Sequence, residues 1–156
     1  MIGVSKYIHP KERDIIFPIL HELDRETIQE GAQFYQQYKK RVVEENIGSK
    51  FAAISGATGR CLNHLKGDYA ESLAKIHFIT KGYFVFPADS SKGYIDLIVI
   101  DRDGNLTKID VKTITYKKDT AYTTYRIDRK APSKQQKKDS VRLMHIDIDQ
   151  HAYFMS

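Results

Sequence analysis

Four side chains have the types and spacing to hold a divalent cation against a phosphate: Glu71, Asp96, Asp110 and Lys112. Along a strand alternate residues share a face, so Asp110 and Lys112, two apart in Ile109-Asp110-Val111-Lys112-Thr113, point the same way. Asp96 lies in the run Tyr94-Ile95-Asp96-Leu97-Ile98-Val99-Ile100, which is otherwise apolar on both faces. A carboxylate there is costly unless it stands at a strand end, is paired, or binds a metal. Asp103-Gly104 is a tight-turn signal, and a hairpin folded about it brings position 96 beside 110–112. Two carboxylates at close range repel, and a divalent cation resolves that repulsion. Oxygen-only ligands with positions left for water and phosphate suit Mg²⁺, with Mn²⁺ as a substitute, rather than zinc. By itself a D-x-K triplet specifies little, since a strand with a polar face also produces one. The joint order of helix glutamate, strand aspartate, hairpin and D-x-K carries the reading.

The elements that must position these residues are legible in outline. Ala70, Leu73, Ala74, His77 and Phe78 recur at helical spacing from Gly67 onward, and Gly82 is placed to end that helix. Glu71 lies on the flank of this stripe and can reach toward the sheet; its plainer reading is an exposed helix glutamate. Strands are expected at Tyr83–Phe86, Tyr94–Ile100, Leu106–Ile114, Ala121–Ile127, Val141–Ile148 and Ala152–Met155, with a short helix after Pro132. The first 46 residues read as helical. Asp24 is a candidate cap for a helix to about Glu45, with Ile28, Ala32, Tyr35, Tyr38 and Val42 on one face and Gly48 ending it. Ser55-Gly56-Ala57-Thr58-Gly59-Arg60 reads as a linker, the other reading being a phosphate contact. The fold class is mixed α/β, divided into a helical segment over 1–50, for packing, dimerisation or DNA contact, and a core over 51–156.

The chain of 156 residues carries a net charge of +5, and its charge is unevenly spread. Residues 112–142 hold ten Lys/Arg against three Asp, while the residues before them balance. A polyanion partner follows from such a segment, and so does a merely solvated basic face. Apolar runs such as Ile98-Val99-Ile100 are too short to cross a membrane, and the first residues lack the apolar stretch of a signal peptide. One cysteine, Cys61, excludes an internal disulfide framework and a multi-cysteine zinc site. An intracellular, cytoplasmic location is the expectation.

The segments Lys66-Gly67-Asp68-Tyr69-Ala70-Glu71, Lys81-Gly82-Tyr83-Phe84-Val85, Tyr94-Ile95-Asp96-Leu97 and Ile109-Asp110-Val111-Lys112-Thr113 together resemble the PD-(D/E)XK nuclease superfamily. The resemblance is strongest to the branch of intron-associated homing endonucleases and archaeal Holliday junction resolvases, and it covers about residues 66 to 127. Ile95 stands where the superfamily name has proline, and Asp110 where the homing branch often has glutamine. The resemblance implies a restriction-endonuclease-like core with a mixed sheet flanked by helices. It implies that Asp96, Asp110 and the Val111 carbonyl hold Mg²⁺, that Glu71 ligates it directly or through water, and that Lys112 orients the attacking water or neutralises the scissile phosphate. It also implies a polar residue from the helix after the core strands, for which Gln136 is the candidate beside a solvated reading. The products would carry a 5′-phosphate and a 3′-hydroxyl.

The function expected is a Mg²⁺-dependent DNA endonuclease, homing or restriction-like, with a Holliday junction resolvase as the alternative and a non-catalytic DNA-binding module as the alternative of another class. DNA would be held by Lys117, Lys118, Arg126, Arg129, Lys130, Lys134, Lys137, Lys138 and Arg142. Tyr116, Tyr122 and Tyr125 are interleaved and either touch DNA or pack on a half-buried sheet. Since one site cuts one strand, a symmetric target calls for a homodimer or homotetramer.

Overall fold

One apolar sheet face, and one apolar helix stripe that covers it, build the centre of the molecule. The computed structural model describes residues 20–34, 48–88, 93–118, 124–128 and 130–156, with the backbone alone over 48–63 and at Lys118. In chain order the elements are β1 (His21–Glu22), α1 (25–34), α2 (Gly48–Thr80), β2 (Phe84–Pro87), β3 (Leu97–Ile100), β4 (Leu106–Thr113), β5 (Tyr116–Lys118), β6 (Tyr125–Ile127), α3 (Lys134–Lys138), β7 (Val141–Asp147) and β8 (Ala152–Met155). Six strands form one mixed sheet in the order β1-β8-β7-β4-β3-β2, and β5 pairs with β6 as a separate ribbon. The pairs β2/β3, β3/β4 and β7/β8 are antiparallel, whereas β4/β7 and β1/β8 are parallel.

The face toward α2 is apolar. Leu97, Val99, Ile109, Met144 and Ile146 pack there against Ala70, Leu73, Ala74 and Phe78. Burial of a side chain such as Leu73 or Ile109 contributes roughly 1.5–3 kcal/mol, so this layer is the main store of stability. The alternate residues of β4 and β7, among them Asp110, Lys112, Leu143 and His145, occupy the other face, where α3 packs beside β7. A smaller cluster of Ile28, Ile114, Ile127 and Ala152 ties α1 and the ribbon to the sheet.

Local chemistry sets the ends of the elements. Asp24 Oδ1 accepts from the Thr27 N–H at 2.7 Å, the cap expected for α1. Gly82, at φ 84°, closes α2: its N–H donates to Ile79 O at 3.0 Å, and the Tyr83 N–H donates to Phe78 O at 3.0 Å. That is the reciprocal pattern of a Schellman end. Gly104, at φ 86°, sits in the β3–β4 turn, and Asp101 Oδ1 accepts from the N–H groups of Asp103 and Asn105.

Several expectations are corrected. Ser55–Arg60 is not a linker but part of α2, which starts at Gly48 rather than at Gly67. Gly48 therefore begins a helix instead of ending one. Gly56 and Gly59 are poor helix formers alone, yet a long helix carries them at a cost of about 1 kcal/mol per glycine. His21 and Glu22 form a strand parallel to β8, not a helix, because the free edge of β8 offers them partners. The second expected strand forms a ladder over Leu97–Ile100, with Tyr94 and Asp96 in bends before it. Strand β5 was not anticipated. The remainder of the expected N-terminal helix, with Tyr35, Tyr38 and Val42, and Ala121 to Thr123 of the expected fourth strand lie outside the described residues.

Gly82→Ala should destabilise the fold by about 1–2 kcal/mol, because a left-handed backbone penalises a Cβ. The check is the urea midpoint at an unchanged m-value. The new methyl would also meet the Arg102 guanidinium at 2.6 Å, though that side chain can swing away. His77 is 2% exposed, and burial, then the Lys81 charge, push its pKa down to about 4. His145 is likewise pushed down to about 4, chiefly by burial. A folded-state pKa below the ordinary ~6.5 means stability is full above pH 6.5 and falls as pH drops toward 4. The slope should approach about 1.4 kcal/mol per pH unit for each such histidine, and His77→Phe should remove one share of it in pH-dependent urea titrations.

Candidate active site

Strand β3 delivers its carboxylate through register. Leu97 lies opposite Ile109, so Asp96, one residue earlier, falls opposite Asp110. Its backbone N–H donates to Ile109 O at 2.8 Å, and its Oδ2 accepts from the Val111 N–H at 2.8 Å. Those two bonds fix both ends of Asp96 against β4. Burial, then a hydrogen bond with Asp110, hold the Asp96 carboxyl up at about 6, with the Asp110 and Glu71 charges adding to the rise and the Val111 N–H opposing it.

Asp110 is 6% exposed and needs partners. Its Oδ2 accepts from Gln136 Nε2 at 2.6 Å and from Lys112 Nζ at 3.1 Å. The Lys112 head is more open, so it bridges the buried carboxylate and the solvent side. Gln136 reaches the site from α3 because Ser133 caps that helix: Ser133 Oγ accepts from the Gln136 N–H at 3.1 Å, and Gln136 Oε1 accepts from the Ser133 N–H at 2.9 Å. Its amide also donates to Tyr94 O at 2.9 Å, tying α3 to the bend before β3. Tyr94 is fastened further, its hydroxyl donating to Asp139 Oδ2.

These residues line one open cleft of about 510 Å³, which Asp96, Asp110, Val111, Lys112 and Gln136 border from the sheet and α3. Glu71 borders it from α2 together with His64, Gly67 and Asp68. All five side chains singled out for chemistry thus share a cleft. Glu71 is turned to Lys75, with Oε1 3.4 Å from its Nζ, and among the described residues no three His, Cys, Asp or Glu side chains gather closely enough to hold a metal ion by themselves. The Asp96–Asp110 pair with the adjoining Val111 backbone is the part that fits a cation: all donors are oxygens, and two carboxylates stand opposite one another across β3 and β4. Mg²⁺ is commonly held by one or two carboxylates with water and phosphate completing the shell.

The residues assigned to DNA spread more widely. Lys134, Lys137 and Lys138 are exposed on α3, and Lys130 Nζ donates to Thr113 O at 3.1 Å. Lys117 pairs with Asp128 at 3.1 Å and, with Arg126 and the unanticipated Arg25, lines a separate hollow between α1 and the ribbon. Arg142 is exposed on β7 and does not line the cleft. Arg129, Tyr122 and the Lys118 side chain are outside the described residues. Tyr116 is packed, its hydroxyl donating to Asp147 Oδ2 at 2.5 Å, and Tyr125 is half-buried. His64, Asp68, Tyr94 and Ser133 were missed as cleft residues. The spacing of His64, Gly67, Asp68 and Glu71 is that of one helix face and would have revealed the first two, had α2 been read as starting before Gly67.

A solved structure of a bacterial homing endonuclease, I-Ssp6803I, is similar at 20% identity and a TM-score of 0.45, covering 60% of this chain and 67% of that one. No curated protein matches the chain in sequence. The family model described as PD-(D/E)XK endonuclease matches residues 62–154, from within α2 to β8, which takes in every strand of the restriction-endonuclease-like mixed sheet except β1. With more than half of its length so matched, the chain belongs to the PD-(D/E)XK endonuclease family.

Proposed function

We propose that this protein is a Mg²⁺-dependent DNA endonuclease, homing or restriction-like, acting as a homodimer or homotetramer. The observation that carries the reading is the meeting of Asp96, Asp110, Lys112 and Gln136 in one cleft within a chain of this family. Asp96, Asp110 and the Val111 carbonyl would hold the ion, with Glu71 reaching it directly or through water. When bound, it would supply Lewis acidity toward the phosphate and a bound water of lowered pKa. The chain's own part is orientation and charge. Val111 N–H and Gln136 fix the two carboxylates, and Lys112 stands where it can steer a water or offset charge growing on the phosphate. Mn²⁺ would substitute for Mg²⁺, sharing the preference for oxygen donors. The basic face of α3 would hold the DNA backbone without reading bases.

The direct test is incubation with supercoiled plasmid and with a synthetic four-way junction, with Mg²⁺ or with chelator. Plasmid nicking that chelator abolishes is expected; cutting of the junction alone would shift the reading to a resolvase. Asp110→Ala and Lys112→Ala should each lower cleavage by at least about a hundredfold, and Gln136→Ala by about ten- to a hundredfold, with thermal unfolding showing that each variant is folded. Wild-type rates in either of the first two would end the assignment. Replacing Lys137 and Lys138 together with alanine should make the log–log salt dependence of DNA binding shallower by about one to two, measured with Ca²⁺ to suppress cutting.

A further inference from the structure

A second groove, of about 460 Å³, shares Val111 and Lys112 with the carboxylate cleft and follows β4 through Thr113 toward Tyr116. Helix α2 borders both hollows: Glu71 and Asp68 face the cleft, Lys66 the groove. The two differ in charge. The cleft gathers Asp68, Glu71, Asp96 and Asp110 with Lys112 as its lysine, whereas the groove has Lys66, Lys112 and Lys130 with Asp147 and Asp149.

The Asp147 carboxylate is spent within the fold. It is 3% exposed and accepts from the Tyr116 hydroxyl at 2.5 Å, from Gln150 Nε2 at 2.8 Å, and from the backbone N–H groups of Asp149 and Gln150 at 2.9 and 3.0 Å. Lys130 is braced, since its ammonium donates to Thr113 O at 3.1 Å, which leaves two donors for a ligand. A braced lysine loses less side-chain freedom on meeting an anion than a free one does.

We infer that this groove is a subsite for the phosphate neighbouring the scissile one, with Lys66 and Lys130 as positioning residues; the inference rests on the nuclease reading above. Phosphates along one strand recur every ~3.4 Å of duplex axis, so a strand with one phosphate at Lys112 must lay the next close by. The rim of the cleft at Gly93, Tyr94 and Ser133 is lined by no lysine, those of α3 being exposed outside it, whereas the groove that continues from Lys112 is lined by two more, one of them braced. The strand therefore runs along β4 from the carboxylates toward Tyr116. Lys66 and Lys130 clamp it from the helix and the sheet side and so fix which phosphate meets the carboxylate pair. A misplacement of about 1 Å there costs on the order of a hundredfold in rate.

The test is a phosphate scan. Duplexes spanning a cut site mapped on plasmid carry one neutral methylphosphonate at each position around the scissile bond, and single-turnover cleavage is measured for wild type and for K66A/K130A. The wild type should lose about tenfold or more at one position within two nucleotides of the cut, and the double variant should be slower on unmodified DNA but lose less than twofold at that position. K66R/K130R should restore the dip. A variant that is slower at every position with the dip intact would show that the lysines only support the fold, overturning the subsite. A flat scan in a wild type that cuts would overturn it too. If the wild type cuts no DNA with Mg²⁺, the nuclease reading itself fails and the subsite with it.

Discussion

Leu97 opposite Ile109 is the pairing on which the site depends. With that register Asp96 comes to rest beside Asp110, and Val111 presents its N–H to the Asp96 carboxylate. A slip of one residue would turn Asp96 into the apolar layer beneath α2 and expose Leu97, so the core that stabilises the sheet also guards the chemistry. Two tight-turn features uphold the register: Gly104 in its left-handed conformation and the Asp101 carboxylate that gathers the turn's N–H groups.

The second constraint is electrostatic. A carboxylate as buried as Asp110 is tolerated only with partners, and here they come from two directions: Lys112 on its own strand and Gln136 from α3. Gln136 serves two structures at once. Its oxygen completes the cap of a five-residue helix, and its nitrogen reaches the carboxylate and the Tyr94 carbonyl. A helix that short has little stability of its own. The cleft and α3 therefore form together, each fixing the other.

What the sequence disclosed follows from where its signals are strong. The stripe Ala70, Leu73, Ala74, His77 and Phe78 is wholly buried, as helical spacing requires, and Ala152–Met155 is a strand with the bounds its composition suggests. Asp96, Asp110 and Lys112 were legible because hairpin register and strand alternation are local rules. Long-range effects hid the rest. Strand β1 has two residues, too few for any period, and exists because β8 has an edge to pair. The stretch Ser55–Arg60 resembles a loop because its small residues favour turns, and only the helix continuing on either side overrides them. Gln136 had a local signal that went unused: Ser133-x-x-Gln136 is a capping box, which would have fixed the start of α3 and the direction of that side chain.

Strands β4 and β7 lie side by side and parallel, although the ribbon β5–β6 and helix α3 stand between them in the chain. That excursion leaves and re-enters the sheet at neighbouring strands whose six paired residues are fixed by the core. With Ile127 held in the cluster of Ile28, Ile114 and Ala152, a longer connection between β5 and β6 costs a loop-closure term that grows only logarithmically, about 0.6 kcal/mol per doubling. The carboxylate pair and the ribbon are in this sense separate modules on one frame. Changes between β5 and β6 would leave the carboxylate pair untouched, provided that Tyr116, Ile127 and the stretch from Ser133 to Gln136 are left in place.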